Sequence, residues 1–245
     1  MNALLQALML RLSSGGRRLG ALLFDVDGTL ADTEEAHRQT FNQAFSLLGL
    51  PWHWSVAEYT ELLAVSGGRE RIVHYLNTLV LHAGERERLQ LAVDTIHAKK
   101  NELYTQRVAR GEVPLRPGVR ELLVEARSRG LPLAIATTTS PANVTALLQA
   151  TLGPDGPAWF AVIAAGDCVA RKKPAPDVYQ HALAALGESP AHCVAFEDSD
   201  SGLRAAAAAG LYTVVTPTGW TAHHDLSQAD LLLCDLAEKE GTHAT

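Results

Sequence analysis

Ala21-Leu22-Leu23-Phe24-Asp25-Val26-Asp27-Gly28-Thr29 is the stretch on which the fold turns. An apolar run without polar alternation reads as a strand buried on both faces, the pattern of a parallel sheet. This run reaches Asp25 and breaks at Gly28. A carboxylate at the buried end of a strand is costly unless it is paired, so Asp25 needs a cationic partner. A calcium loop of the EF-hand kind does not fit, because Ala36 stands where the twelfth position requires glutamate.

The same event recurs along the chain. Leu131–Ala136 runs into Thr137, Phe160–Ala165 into Gly166, His192–Phe196 into Glu197, and Leu211–Val215 into Thr216, with Leu231–Cys234 as a sixth expected strand. Helical spacing marks Val119–Arg129, Asn143–Leu152, Pro176–Leu186 and Ser201–Ala209. Gly130, Gly187 and Gly210 stand as stops. Strands alternating with helices predict an α/β fold, a Rossmann-like parallel sheet covered on both faces.

Residues 34–111 interrupt the alternation with helical periodicity alone. Thr40, Phe41, Ala44, Phe45 and Leu48 make one stripe, and Arg71–Leu81 and Leu89–Val108 make others. The expected organisation is therefore an N-terminal extension over 1–20, a catalytic core formed by 21–33 and 112–245, and an inserted helical unit over 34–111. The segment 111–117, rich in glycine and proline, marks the return to the core. Residues 1–20 read as a frayed extension before the first strand. Ser13, Ser14, Arg17 and Arg18, with no acidic residue nearby, leave organelle targeting open beside a cytoplasmic location.

At 245 residues and 47% hydrophobic, the chain can bury a large core. Its net charge of -6 carries no footprint for nucleic acid or an anionic membrane. Cys168, Cys193 and Cys234 show no metal-binding spacing and read as reduced thiols packed in the core. A monomer is expected.

Ligands of an open parallel sheet bind beyond the carboxyl ends of the strands. Those ends carry Asp25 and Asp27, then Thr137, then Glu197 and Asp198. A hard divalent cation held by Asp25 and Asp198 would supply the missing partner. The hydroxyl run Thr137–Ser140 precedes a helix, where free amides suit phosphate oxygens, and Ser140 also reads as a cap. Lys173, in Lys172-Lys173-Pro174, can neutralise a carboxylate or a phosphate. Glu197 and Asp198 repel each other unless a metal or a lysine holds them.

Taken in order, Asp25-x-Asp27-Gly28-Thr29, Thr137, Lys173-Pro174 and Glu197-Asp198 resemble the four motifs of the haloacid dehalogenase superfamily, over nearly the whole chain after about residue 20. The helical insertion is similar to the cap of the subgroup containing beta-phosphoglucomutase, phosphoglycolate phosphatase and CbbY-type proteins. Asp32-Thr33-Glu34-Glu35-x-His37, then Tyr59, then Ser66-Gly67-Gly68-Arg69-Glu70-Arg71, and Thr137-Thr138-Thr139-Ser140, resemble the CbbY type.

The resemblance implies a magnesium-dependent phosphatase. Asp25 is then the nucleophile that becomes an aspartyl phosphate, and Asp27 the acid and later the base. Thr137 and Lys173 hold phosphoryl oxygens. Mg2+ is expected on Asp25, the backbone carbonyl of Asp27 and Asp198, with Glu197 as a further ligand or behind one. Glu34, His37, Tyr59, Gly67, Gly68, Arg69, Arg71 and Thr138 are expected to bind substrate. That substrate, a small phosphorylated metabolite, is expected to be a sugar phosphate, specifically a ketose bisphosphate such as xylulose-1,5-bisphosphate. A phosphomutase of the beta-phosphoglucomutase type, or a monophosphatase similar to phosphoglycolate phosphatase, shares the core residues and stays open. His223 and His224 read as a surface loop.

Overall fold

The computed structural model of the protein describes residues 2–14, 16 and 18–237. Arg17, one of the residues behind the targeting reading, lies outside them, as does the end of the expected core beyond residue 237.

The chain runs α1 (Ala3–Ser14), β1 (Ala21–Phe24), α2 (Glu34–Leu47), α3 (Val56–Leu62), α4 (Gly68–Thr78), α5 (Ala83–Ala109) and α6 (Val119–Ser128). It continues β2 (Leu133–Ala136), α7 (Pro141–Leu152), β3 (Val162–Ala164), α8 (Asp177–Leu186), β4 (Cys193–Glu197), α9 (Asp200–Ala208), β5 (Tyr212–Val215) and β6 (Leu231–Leu232). Every expected strand and helix of the alternating part is present. The strands form one parallel sheet in the order β3-β2-β1-β4-β5-β6.

Side-chain size sorts the two faces of that sheet. Leu22, Phe24, Leu133, Ile135, Val194 and Phe196 face α6 and α7, and Phe24 stacks on Phe196 with centroids 4.6 Å apart. The opposite face carries Ala21, Leu23, Ala134, Ala136, Ala164 and Ala195 under Val178 and Tyr179 of α8 and Ala205 and Ala206 of α9. Small residues on both partners let those helices lie close to the sheet.

The sheet sets β1 between β2 and β4, so three strand ends meet at one edge. Residues 34–109 hold a third apolar cluster of their own, built on Phe41, Phe45, Trp52, Trp54, Tyr59, Ile72 and Leu89. The chain leaves for this helical segment and returns from it at one place, because Ala31 and Leu115 form an antiparallel bridge.

Two expectations are corrected. The frayed extension over 1–20 is instead largely the helix α1, with Leu4, Leu5, Leu8 and Leu12 buried in the main core. Those four leucines fall on one helical face, and burying it outweighs the entropy of ordering a terminus. Arg11 lies over the ring of Tyr212 at 5.0 Å. Of the cysteines, only Cys193 in β4 packs in the core. Cys168 and Cys234 follow the ends of β3 and β6 and are exposed. Among the described residues, no helix is long and apolar enough to cross a membrane.

Candidate active site

β1 delivers Asp25 to the edge, where its amide hydrogen-bonds Phe196 O at 3.0 Å. β4 ends on Glu197, with Asp198 next. Lys173 Nζ bridges Asp25 Oδ1 and Glu197 Oε1, each at 2.6 Å. Tyr179 donates its hydroxyl to the same Glu197 oxygen, which leaves Glu197 Oε2 buried without a partner. Thr221 donates to Asp198 Oδ2 at 3.2 Å. Gly28 has φ 82, and a Cβ there would overlap the Asp198 carboxylate, so only glycine lets this loop lie so close.

Carboxylate oxygens of Asp25, Glu197 and Asp198 lie within 4.8 Å of one another, all buried. Among the described residues, their ammonium partner is Lys173. Burial raises the Asp25 carboxyl to about 7, with Lys173 pulling it back and Glu197 and Asp27 adding to the rise. Burial, then Asp25 and Glu197, push Asp198 well above the carboxylate range. Lys173 itself is held above the ordinary lysine value: burial opposes its charge, but Asp25 and Glu197 together outweigh burial. One cation gains from both acids, whereas each acid shares it and bears its own desolvation. An orphaned oxygen and excess buried negative charge in an all-oxygen set fit a hard divalent cation.

Two outcomes follow. Asp198→Ala should weaken Mg2+ binding, measured by calorimetry, about tenfold or more, and by more than Glu197→Ala does. Lys173 already pairs with Glu197 at 2.6 Å, whereas Asp198 accepts from the neutral hydroxyl of Thr221. The reverse ranking would move the cation to Glu197.

The second outcome concerns pH. A carboxyl raised from 3.8 to about 7 in the folded state carries a penalty that is absent below pH 3.8 and complete above about 7. Without a cation, this group therefore favours the fold more at pH 5 than at pH 7.5. The gain in Tm on adding magnesium should be larger at pH 7.5. A gain independent of pH would mean that Asp25 holds no proton in the free protein.

Asp27 points the other way, toward the helical segment. Thr33 donates to its Oδ1 at 2.6 Å, His37 Nε2 lies 3.0 Å from the same oxygen, and Thr139 donates to Oδ2. Burial works against its charge, but His37 and the two hydroxyls lower its pKa below the carboxylate range. Burial, and then Lys100, push His37 down. The nearby Asp27 works against that push, and His37 Nε2 stays within hydrogen-bond distance of its carboxylate. Lys100 Nζ lies 2.7 Å from His37 Nδ1. When Lys100 is protonated it can only donate, and Nδ1 then accepts while Nε2 gives its hydrogen to Asp27. Burial lowers Lys100 to about 7.

These groups line a cavity of about 870 Å³ between the strand ends and the helical segment. That volume lies within the usual range for small-molecule sites. Asp25, Asp27, Thr137, Thr138, Lys173, Glu197 and Asp198 line it from the core. Glu34, His37, Gly67, Gly68, Arg69 and Arg71 line it from the helices.

Tyr59 departs from expectation. It is fully buried and outside the lining, donating to Glu34 Oε2 at 2.7 Å and accepting from Arg71 at 2.8 Å. Arg71 is committed as well, to Leu62 O and Val65 O. Arg69 pairs with the exposed Asp94 at 2.7 Å. His223 and His224, expected on a plain surface loop, reach the cavity rim, and His224 Nδ1 accepts from the Asp200 amide.

Sequence reasoning misses Lys100 and Asn101, which line the cavity, and it quotes Thr33 and Thr139 within motifs without placing either on Asp27. Lys100 has a legible signal, a lysine on the buried stripe Val93, Ile96, Lys100, Leu103.

The family model for haloacid dehalogenase-like hydrolases matches residues 19–210. The chain is 51% identical over 218 residues to the protein CbbY encoded on a plasmid of Cupriavidus necator, covering 89% of this chain and 86% of that one. It superposes on the crystal structure of CbbY from Rhodobacter sphaeroides with phosphate at TM-score 0.84 and 47% identity, over 90% of this chain and 96% of that one. A mutant of that protein in complex with xylulose-(1,5)bisphosphate matches at TM-score 0.84 and 46% identity, with the same coverage.

Proposed function

Because this chain belongs to the haloacid dehalogenase-like hydrolases, we propose that it removes the phosphate of a ketose bisphosphate through an aspartyl phosphate on Asp25. It is a phosphatase of sugar phosphates. The observation that carries the finer reading is the cavity itself, which brings the acid cluster and the glycine-rich start of α4 into one lining. The Rhodobacter sphaeroides relative crystallised with xylulose-(1,5)bisphosphate supports the substrate class.

Asp25, Glu197, Asp198 and the Asp27 carbonyl are the groups that would hold magnesium. When bound, it would neutralise the carboxylates and draw charge from phosphoryl oxygens. Asp25 attacks phosphorus in line, with Lys173 and Thr137 holding the oxygens that gain charge. Asp27 rests ionised, held by three hydrogen-bond donors. The dianionic substrate beside it raises its proton affinity, so it takes a proton from solvent as substrate binds and passes it to the leaving alkoxide. In the second half it accepts a proton from the water that hydrolyses the aspartyl phosphate. The helical segment over 34–111 acts as the cap that excludes water from the first half.

The distal phosphate falls to Arg69, whose partner Asp94 is exposed and exchangeable, and the amides at the start of α4, since Arg71 is buried and held by Tyr59 and two carbonyls. Arg69→Ala should cost a ketose bisphosphate about ten- to a hundredfold in kcat/KM, and a monophosphate much less. Equal losses would mean that Arg69 supports the cap instead. The assay should follow both phosphate release and product isomerisation across mono- and bisphosphorylated sugars with magnesium. Isomerised product without phosphate release would make the protein a mutase.

A further inference from the structure

Arg116 lies on the returning linker, one residue past the bridge between Ala31 and Leu115. Its amide donates to Leu30 O at 2.8 Å. Its guanidinium donates to carbonyls on three other segments. Nη1 reaches Gly28 O and Thr216 O, the latter at 2.6 Å, and also Thr216 Oγ1 at 3.0 Å. Nη2 reaches Pro217 O at 3.0 Å and Cys234 O at 3.3 Å. Gly28 is the residue against which Asp198 lies, and Thr216 and Pro217 begin the loop that carries Thr221 to Asp198 Oδ2.

We propose that Arg116 is a positioning residue for the cation end of the site, acting on Asp198 through Gly28 on one side and Thr221 on the other. The guanidinium clamps together the two loops between which Asp198 is held. Without it, Gly28, Thr216, Pro217 and Cys234 lose a shared donor, and Asp198 loses its fixed angle toward Asp25 and Glu197. A lysine cannot replace it, because one ammonium nitrogen does not reach carbonyls served by two separate guanidinium nitrogens. The inference rests on the phosphatase reading only for the role of the cation.

The test is Mg2+ affinity by calorimetry in the full chain, for wild type, Arg116→Ala and Arg116→Lys. No turnover is needed. Both variants should lose about ten- to a hundredfold in affinity, the usual effect of removing a partner behind a metal ligand. Millimolar guanidinium, but not methylammonium, should restore much of the loss in Arg116→Ala. If Arg116→Ala does not fold, Arg116→Lys, which keeps charge and stem, carries the test alone. Wild-type affinity in a folded variant, even with a lowered Tm, overturns the proposal. So does wild-type protein that binds no magnesium. Wild type that binds magnesium but hydrolyses no phosphate ester removes the phosphatase reading, and the variants still decide on Arg116.

Discussion

Asp25→Asn is expected to reduce turnover about ten-thousand-fold or more while the protein melts no lower than wild type. The amide has the shape of the carboxylate but cannot become an acyl phosphate. The fold is spared because the site is overloaded with negative charge. Lys173 keeps Glu197 at 2.6 Å when Asp25 is neutral. Asp25, which burial already pushes toward the neutral form, loses a penalty rather than a contact. In the absence of magnesium the variant should even gain Tm at pH 7.5. Asp27→Asn should lose about a hundredfold or more, the scale of general acid–base catalysis. An Asp25→Asn protein with substantial phosphate release, checked for deamidation by mass spectrometry, would falsify the nucleophile assignment.

Lys173→Met should have the largest effect on stability. Lys173 is 6% exposed, and its ammonium separates Asp25 from Glu197 while lying 5.2 Å from the Tyr179 ring centroid. Methionine fills the stem but leaves three buried carboxylates with no ammonium among them. Removing one partner of a buried ionic cluster costs about 3–5 kcal/mol, which for a chain of this size is a drop in Tm on the order of 10 °C. The raised pKa of Lys173 means its contribution is complete below the ordinary lysine value of 10.5 and is lost only as pH rises beyond it. The deficit of the variant should shrink toward pH 4, where the acids take up protons, and shrink with magnesium at pH 7.5. Activity should fall in parallel, since no cationic side chain then holds a phosphoryl oxygen beside Asp25. A variant as stable as wild type at pH 7.5 without magnesium would show that the acids are already protonated there.

The legible part of the sequence is what lies at strand ends. Asp25, Thr137 and Glu197 each follow a short apolar run, so a single pattern marks both the sheet and its catalytic edge. Lys173 is legible because a lysine before a helix, among acids, has a defined electrostatic task. Residues that act from helices across the cavity are harder to see. Lys100 reaches His37 from 63 positions away, and only its place on an apolar stripe betrays it. Tyr59 is expected at the substrate only because the resemblance to the CbbY type implies it. The structure spends its hydroxyl on Glu34 and Arg71. Arg116 has carbonyls as its main partners, and no residue pattern announces those. The burial of α1 escapes notice because the residues its leucines pack against, Leu122 and Leu123 of α6 among their cluster, lie far along the chain.

The bridge between Ala31 and Leu115 makes the helical segment a cassette. Its two ends are held side by side by the body of the protein, so the sheet registers only the width of the gap and not what fills it. Changing the length of what is inserted alters the closure entropy by only about 0.6 kcal/mol per doubling. Ala36, Tyr104 and Val108 at its base join the main core, and Trp220 of the core packs against Tyr59, but the rest of its apolar cluster is its own. On the proposed function, grafting at those two positions should exchange substrate preference while the sheet stays as it is. A chimaera joined there should keep the melting behaviour of its sheet and take its choice of sugar from the donor.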